Sequence, residues 1–176
     1  MRTRPAGPAT LTRAVRKRMD PKQFFSDLSD RRIKVRVAAA KALGAAKVPG
    51  SVSALVAALS DNHASVRCEA ALALGKIGYA EAVPALAGLL ADPEPDVRLA
   101  ALAALGRIRD PAAVPLLVAH LRDRDIRVRI GVLDTLAKTG DARAAGAVRT
   151  CLADPFSEVR EAAEAALNRL SKRARR

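Results

Sequence analysis

The side chains best equipped for chemistry in this chain are its arginines, and five of them keep fixed company. Arg36, Arg67, Arg98, Arg129 and Arg160 each follow a valine, and each stands six residues after an aspartate: Asp30, Asp61, Asp92, Asp123 and Asp154. A regular row of guanidinium groups suggests phosphate binding, because each presents a planar fork of N–H donors. A carboxylate at constant spacing suggests instead a ladder of ion pairs and hydrogen bonds that holds successive units in register. With every arginine matched by its own turn aspartate, the ladder is the expected reading. Recognition then falls to the residues beside it.

Other reactive groups are sparse. Cys68 and Cys151 are too few and too far apart for a disulfide framework or a zinc site. They fit a reducing, cytoplasmic compartment, and Cys68 is expected to be a small semi-buried thiol rather than a nucleophile. His63 falls in a polar turn and His120 in a helix almost two units away, so shared metal ligation is not expected. No nucleophile elbow, phosphate-binding glycine loop or paired-cysteine motif occurs. Neither a catalytic residue, a metal site nor a cofactor is expected.

The elements that must position these residues follow from the repeat itself. The Val-Arg pair recurs at Val35, Val66, Val97, Val128 and Val159, a step of 31 residues each time. A leucine precedes each valine by seven residues (Leu28, Leu59, Leu90, Leu121, Leu152) and another follows by eight (Leu43, Leu74, Leu105, Leu136, Leu167). Such self-similarity marks a repeat array. Helical spacing of apolar residues predicts two helices per copy. First helices are predicted near 20–28, 51–59, 82–90, 112–121 and 143–152, and second helices near 33–46, 64–77, 95–108, 126–139 and 157–171. Gly44, Gly75 and Gly106 sit where helices could approach closely. The core is built of Ala, Leu and Val, with no Trp and only Phe24, Phe25, Phe156 and Tyr79 as aromatics, which suits packed helices better than a sheet.

The predicted organisation is a basic N-terminal tail with a capping helix over 1–19 and a repeat domain over 20–171. Its units run about 20–47, 48–78, 79–109, 110–140 and 141–171, and a basic C-terminal tail follows at 172–176. Of the formal charge of +13, residues 1–22 carry seven bases against one acid, and 169–176 carry five bases against none. The body between them is close to neutral. Arg13, Arg16, Lys17 and Arg18, with Lys172, Arg173, Arg175 and Arg176, therefore form two basic ends able to meet phosphates electrostatically. A solubilising tail is the competing reading, and for the N-terminus an organellar targeting peptide is an alternative. No run approaches the ~20 apolar residues of a membrane span.

The segment PALAGLLADPEPDVRLAALAALGRI resembles the HEAT repeat, of the short bacterial type found in phycobilisome-lyase-like proteins. The resemblance covers about residues 20–171. It implies an all-α, right-handed α-α superhelix with second helices on the concave side, and a turn Asp joined to the Arg six residues later, within or between repeats. It is nearly silent on function. Enzymes of this fold family leave no trace here. Deoxyhypusine hydroxylases use His-Glu pairs, and neither histidine is followed by Glu. The alkylpurine DNA glycosylases use an aromatic concave cleft, which this chain lacks.

Turning about 100° per residue from each valine places Val37, Cys68, Leu99 and Ile130 on the expected concave face. Lys41 and Leu72 join them, with Lys76, Arg107, Arg127 and Lys138 around the apolar row. The expectation is a groove for an acidic or amphipathic segment of a protein partner, bound by a monomeric scaffold. The competing reading buries these side chains between neighbouring helices. Nucleic-acid or ribosome association through the basic ends, and a lyase-like accessory role, are the alternative functions.

Overall fold

A computed structural model describes residues 21–48 and 50–174; the predicted capping helix over 10–18 lies outside them. Among the described residues every regular element is helical. Ten α-helices alternate short and long: α1 Pro21–Asp27, α2 Ile33–Ala46, α3 Ser51–Ala58, α4 Ala64–Ile77 and α5 Val83–Gly88. They continue with α6 Pro95–Ile108, α7 Ala113–Val118, α8 Ile126–Thr139, α9 Ala145–Thr150 and α10 Ser157–Ala174. The even-numbered helices are the second helices, and each packs on the next: α2 on α4, α4 on α6, α6 on α8 and α8 on α10.

The long helices form where the valine register predicts them. Val66, Val97, Val128 and Val159 are fully buried, as are Leu43, Leu105 and Leu136. The columns weaken only in the first and last described repeats, where Leu28 is half-buried and Leu152 is exposed. Long helices α2, α4, α6 and α8 end twelve residues after the valine with a left-handed residue, at Lys47, Gly78, Arg109 and Gly140. Gly78 and Gly140 adopt this backbone without Cβ conflict.

The short helices are less regular than predicted. The third and fifth are flanked by 3-10 turns, at Ala80–Ala82 and Leu89–Ala91, and at Ala142–Ala144 and Cys151–Ala153. Gly88, a poor helix former, stands where the third gives way to its second 3-10 turn. The fourth ends earlier than predicted, at Val118, and His120 lies in the turn after it rather than inside a helix. At the other end α10 runs past the predicted stop at 171, so Lys172 and Arg173 belong to the last helix and not to a tail.

Helix spacing is set near the helix C-termini. An added Cβ on Gly44 would stand 2.6 Å from the Ala73 Cα, and one on Gly75 the same distance from the Ala104 Cα. These glycines are what let α2 meet α4, and α4 meet α6, at backbone contact. The next junction is built differently. Thr135 stands where Ala73 and Ala104 stood, its hydroxyl donating to the Gly131 and Leu102 carbonyls at 2.8 and 3.2 Å. A Cβ on Gly106 would meet only side chains there, the nearest being Lys138 Cδ at 3.2 Å.

Candidate functional site

The ladder is built from one turn repeated five times. In each, the Asp carboxylate accepts the N–H two residues on, at Arg32, His63, Glu94, Asp125 and Phe156, with distances of 2.8 to 3.0 Å. At Arg32, His63, Glu94 and Asp125 that residue has extended backbone and caps the next long helix. The carbonyl oxygen of the same Asp accepts Nη1 of the Arg six residues later, at 2.7 to 2.9 Å in all five repeats.

Of the two expected pairings, within or between repeats, the carboxylate contacts take the second: Arg36, Arg67, Arg98 and Arg129 each bind the Asp side chain of the following repeat. Arg36 reaches Asp61 through Nε at 2.7 Å and Nη2 at 2.9 Å, and Arg67 reaches Asp92 with the same two distances. From Asp61 to Asp123 the own-repeat carboxylate is already held by the turn N–H and by the Arg of the preceding repeat, and its own Arg takes the carbonyl instead. The rungs therefore tie repeat to repeat, and they are substantially buried: Arg98 is only 3% exposed. The first and last members fall outside the pattern. Asp30 pairs with Arg32, and Arg160 meets only the carbonyls of Asp154 and Pro155.

The later rungs are looser. Arg98 holds Asp123 through Nη2 alone, at 2.9 Å, and its buried Nε has no acceptor. Arg129 lies 3.1 Å from Asp154 through an Nε that is not aligned for a hydrogen bond, and 3.4 Å through Nη2, with Phe156 beneath it at 5.2 Å. The two bidentate rungs fall on the junctions with Gly–Ala contact, and the two loose ones on the junctions without it.

Electrostatics follow the geometry. Burial opposes ionisation of Asp61 and Asp92, yet the Arg36 and Arg67 guanidinium groups and the turn N–H bonds outweigh it and hold both below the ordinary carboxylate range. The Arg32 side chain holds Asp30 down at about 2. Burial pushes the Cys68 and Cys151 thiols up, which disfavours the nucleophilic thiolate.

The apolar row on the second helices is neither fully exposed nor fully hidden. Val37, Cys68, Leu72, Leu99 and Ile130 are half-buried, and the last four pack against the core. Leu99 leans on the α6–α8 seam, where its Cδ2 lies 3.5 Å from where a Cβ on Gly131 would be. Lys41, Arg107 and Arg127 are exposed. Lys76 pairs with Glu69 at 3.5 Å, Lys138 with Asp134 at 2.6 Å, and Arg127 with Asp125 at 2.9 Å. Of the basic ends, Arg13, Arg16, Lys17, Arg18, Arg175 and Arg176 lie outside the described residues. Arg173 caps α8 instead of standing free: its Nη1 donates to the Lys138 and Thr139 carbonyls at 3.1 and 3.3 Å. Among the described residues no group of His, Cys, Asp and Glu could hold a metal, and no helix is long and apolar enough to cross a membrane.

Stacked helix pairs tied turn to turn define an α-solenoid. More narrowly, the HEAT repeat model matches residues 22–96 and 87–168, and the chain belongs to the HEAT-repeat family. A chain from the CpcE–CpcF complex of phycocyanin lyase from Nostoc sp. PCC7120 is similar, at 30% identity and a TM-score of 0.75, over 88% of this chain. This chain spans 66% of that one, just under two thirds of its length. An engineered protein is 25% identical with a TM-score of 0.68, over 95% of this chain and 85% of its own. A designed armadillo repeat protein solved with the peptide (KR)4 shares the fold at 22% identity and a TM-score of 0.71, over 94% of this chain and 87% of that one. No curated protein matches the sequence.

Proposed function

We propose that this chain is a non-catalytic scaffold or adaptor that docks a protein partner along the face of its second helices. The observation that carries the reading is the half-buried row Cys68, Leu72, Leu99 and Ile130 on successive long helices, flanked by exposed Lys41, Arg107 and Arg127. Apolar anchors framed by bases fit an amphipathic segment with acidic residues on its rim. The family supports the class, since a solenoid's repeated face is an extended surface.

Lys41→Glu combined with Arg107→Glu tests it, both side chains being exposed and taking no part in the rungs. Affinity capture from the source cell should lose its protein partner at least tenfold in the double variant. Unchanged capture by a folded variant would remove the face from consideration. Repeating the capture with nuclease and across a salt series separates the nucleic-acid reading, which demands a steep fall with salt. A second reading, a phycobilisome-lyase-like accessory role, is favoured by the 30% identity to the phycocyanin lyase chain. Recovery of phycocyanin subunits in the capture would select it.

A further inference from the structure

Lys172 and Arg173, expected from the sequence as part of a tail, are built into the body. With Arg169 they fall on the last turns of α10 at spacings of three and four, which puts all three on one side of the helix. That side meets the end of α8. Arg169 Nη1 donates to Asp134 at 2.9 Å, and Lys138 Nζ takes the other oxygen of the same carboxylate at 2.6 Å. Arg173 Nη1 donates to the Lys138 and Thr139 carbonyls, and its side chain covers Gly140. Lys138 in turn lies along Gly106, beside the exposed Arg107 at the end of α6.

Five bases on three successive helix ends thus share one carboxylate, that of Asp134. Nearby Asp141 is taken by Arg143, and Glu164, the nearest acid on α10, stands five residues before Arg169. Neither Arg107 nor Lys172 has a carboxylate partner among the described residues. A helix C-terminus carries about half a negative charge, so offsetting dipoles does not account for the surplus. Helices 8–10 Å apart spread the bases over roughly 20 Å. The patch is also bare of large apolar side chains. Among the described residues the exposed ones are Ile33, Tyr79, Leu116, Leu152 and Phe156, none of them on the last turns of α6, α8 or α10. A protein interface is anchored by such groups, whereas a phosphate backbone is held by charge. Without an aromatic to stack a base, a duplex fits the patch better than a single strand. We infer that this corner binds the phosphate backbone of a nucleic-acid duplex, without reading its sequence, through Lys138, Arg169, Lys172 and Arg173, with Arg107 at its border. It lies past the apolar row, at the long-helix ends, and stands whether or not that row docks a protein.

The test is fluorescence anisotropy of the full chain with labelled duplexes of about 20 base pairs, one DNA and one RNA, with oligothymidine and poly-glutamate as competitors. The tighter duplex should bind saturably. Its affinity should fall roughly hundredfold or more between about 50 and 200 mM salt, as about four phosphate contacts require. Lys172→Glu, at an exposed side chain with no ion pair to lose, should weaken it at least fivefold, and Arg169→Gln with Lys172→Gln at least tenfold. Lys34→Gln with Arg149→Gln removes the same charge elsewhere, from exposed positions, and should change it less than twofold. Equal losses in the two double variants would overturn the proposal, since net charge alone would then explain binding. So would a duplex that stays unbound, or a Lys172→Glu chain that binds like the parent. Tighter binding of oligothymidine would overturn the duplex assignment, and displacement by poly-glutamate at equal charge would give the corner to an acidic protein instead.

Discussion

At the level of single residues, the ladder arginines are not equivalent although the sequence repeats them identically. Arg67 makes two carboxylate bonds to Asp92, whereas Arg98 makes one to Asp123. Lysine keeps the charge but supplies a point donor instead of a fork. Arg67→Lys is therefore expected to cost about 2 kcal/mol, the order of a lost hydrogen bond to a charged group, and Arg98→Lys roughly half that. Urea midpoints of the two variants check the ranking, and equal losses would contradict the bidentate geometry. The pairing of residue types was legible from a constant six-residue spacing. The choice of the next repeat's carboxylate was not, because spacing along the chain says nothing about which oxygen the turn has already taken. Nor did sequence reveal that Arg173 caps α8, since its acceptors are backbone carbonyls and leave no pattern of residue types.

Among the helices, the informative contrast is between junctions. Gly75 meets the Ala104 backbone, while Gly106 faces the movable Lys138 and Thr135 side chains. Gly75→Ala should force α4 and α6 apart and destabilise by about 1–3 kcal/mol, as overpacking does. Gly106→Ala should be neutral or stabilising by up to ~1 kcal/mol, because alanine is the better helix former and the Lys138 chain can yield. Thermal melts of both variants measure the difference, and similar losses would show that the third junction is as tight as the second. Long-helix boundaries were readable because four residue columns fix them. The left-handed ends at Gly78 and Gly140 went unread although their spacing from the valine was available, since Lys47 and Arg109 hold the same place and break the glycine column. The short helices were overextended because 3-10 turns share the apolar spacing of one helical turn.

For the whole molecule, the seams between repeats explain why the row taken as a groove is only half open. The side of each long helix facing the next repeat carries the residues two, five and nine after the valine, as Leu99 and Leu102 against Gly131 and Gly75 against Ala104 show. In α10 these places are Glu161, Glu164 and Asn168, all exposed. Polar residues there suit a face on which none of the described repeats packs. Replacing both acids, Glu161→Leu with Glu164→Leu, should create an apolar end that associates with other copies, a head-to-tail hazard of repeat surfaces. Light scattering on eluting protein should show mass rising with concentration, and a mass unchanged from the parent chain would argue against this seam. The forward reach of each rung also gives the array a direction in time. A ribosome delivers Arg67 before Asp92, 25 residues later, a lag of roughly 1–5 s at ordinary synthesis rates. Until then the growing end carries a guanidinium still short of its carboxylate, so the rungs point the same way along the chain as synthesis runs.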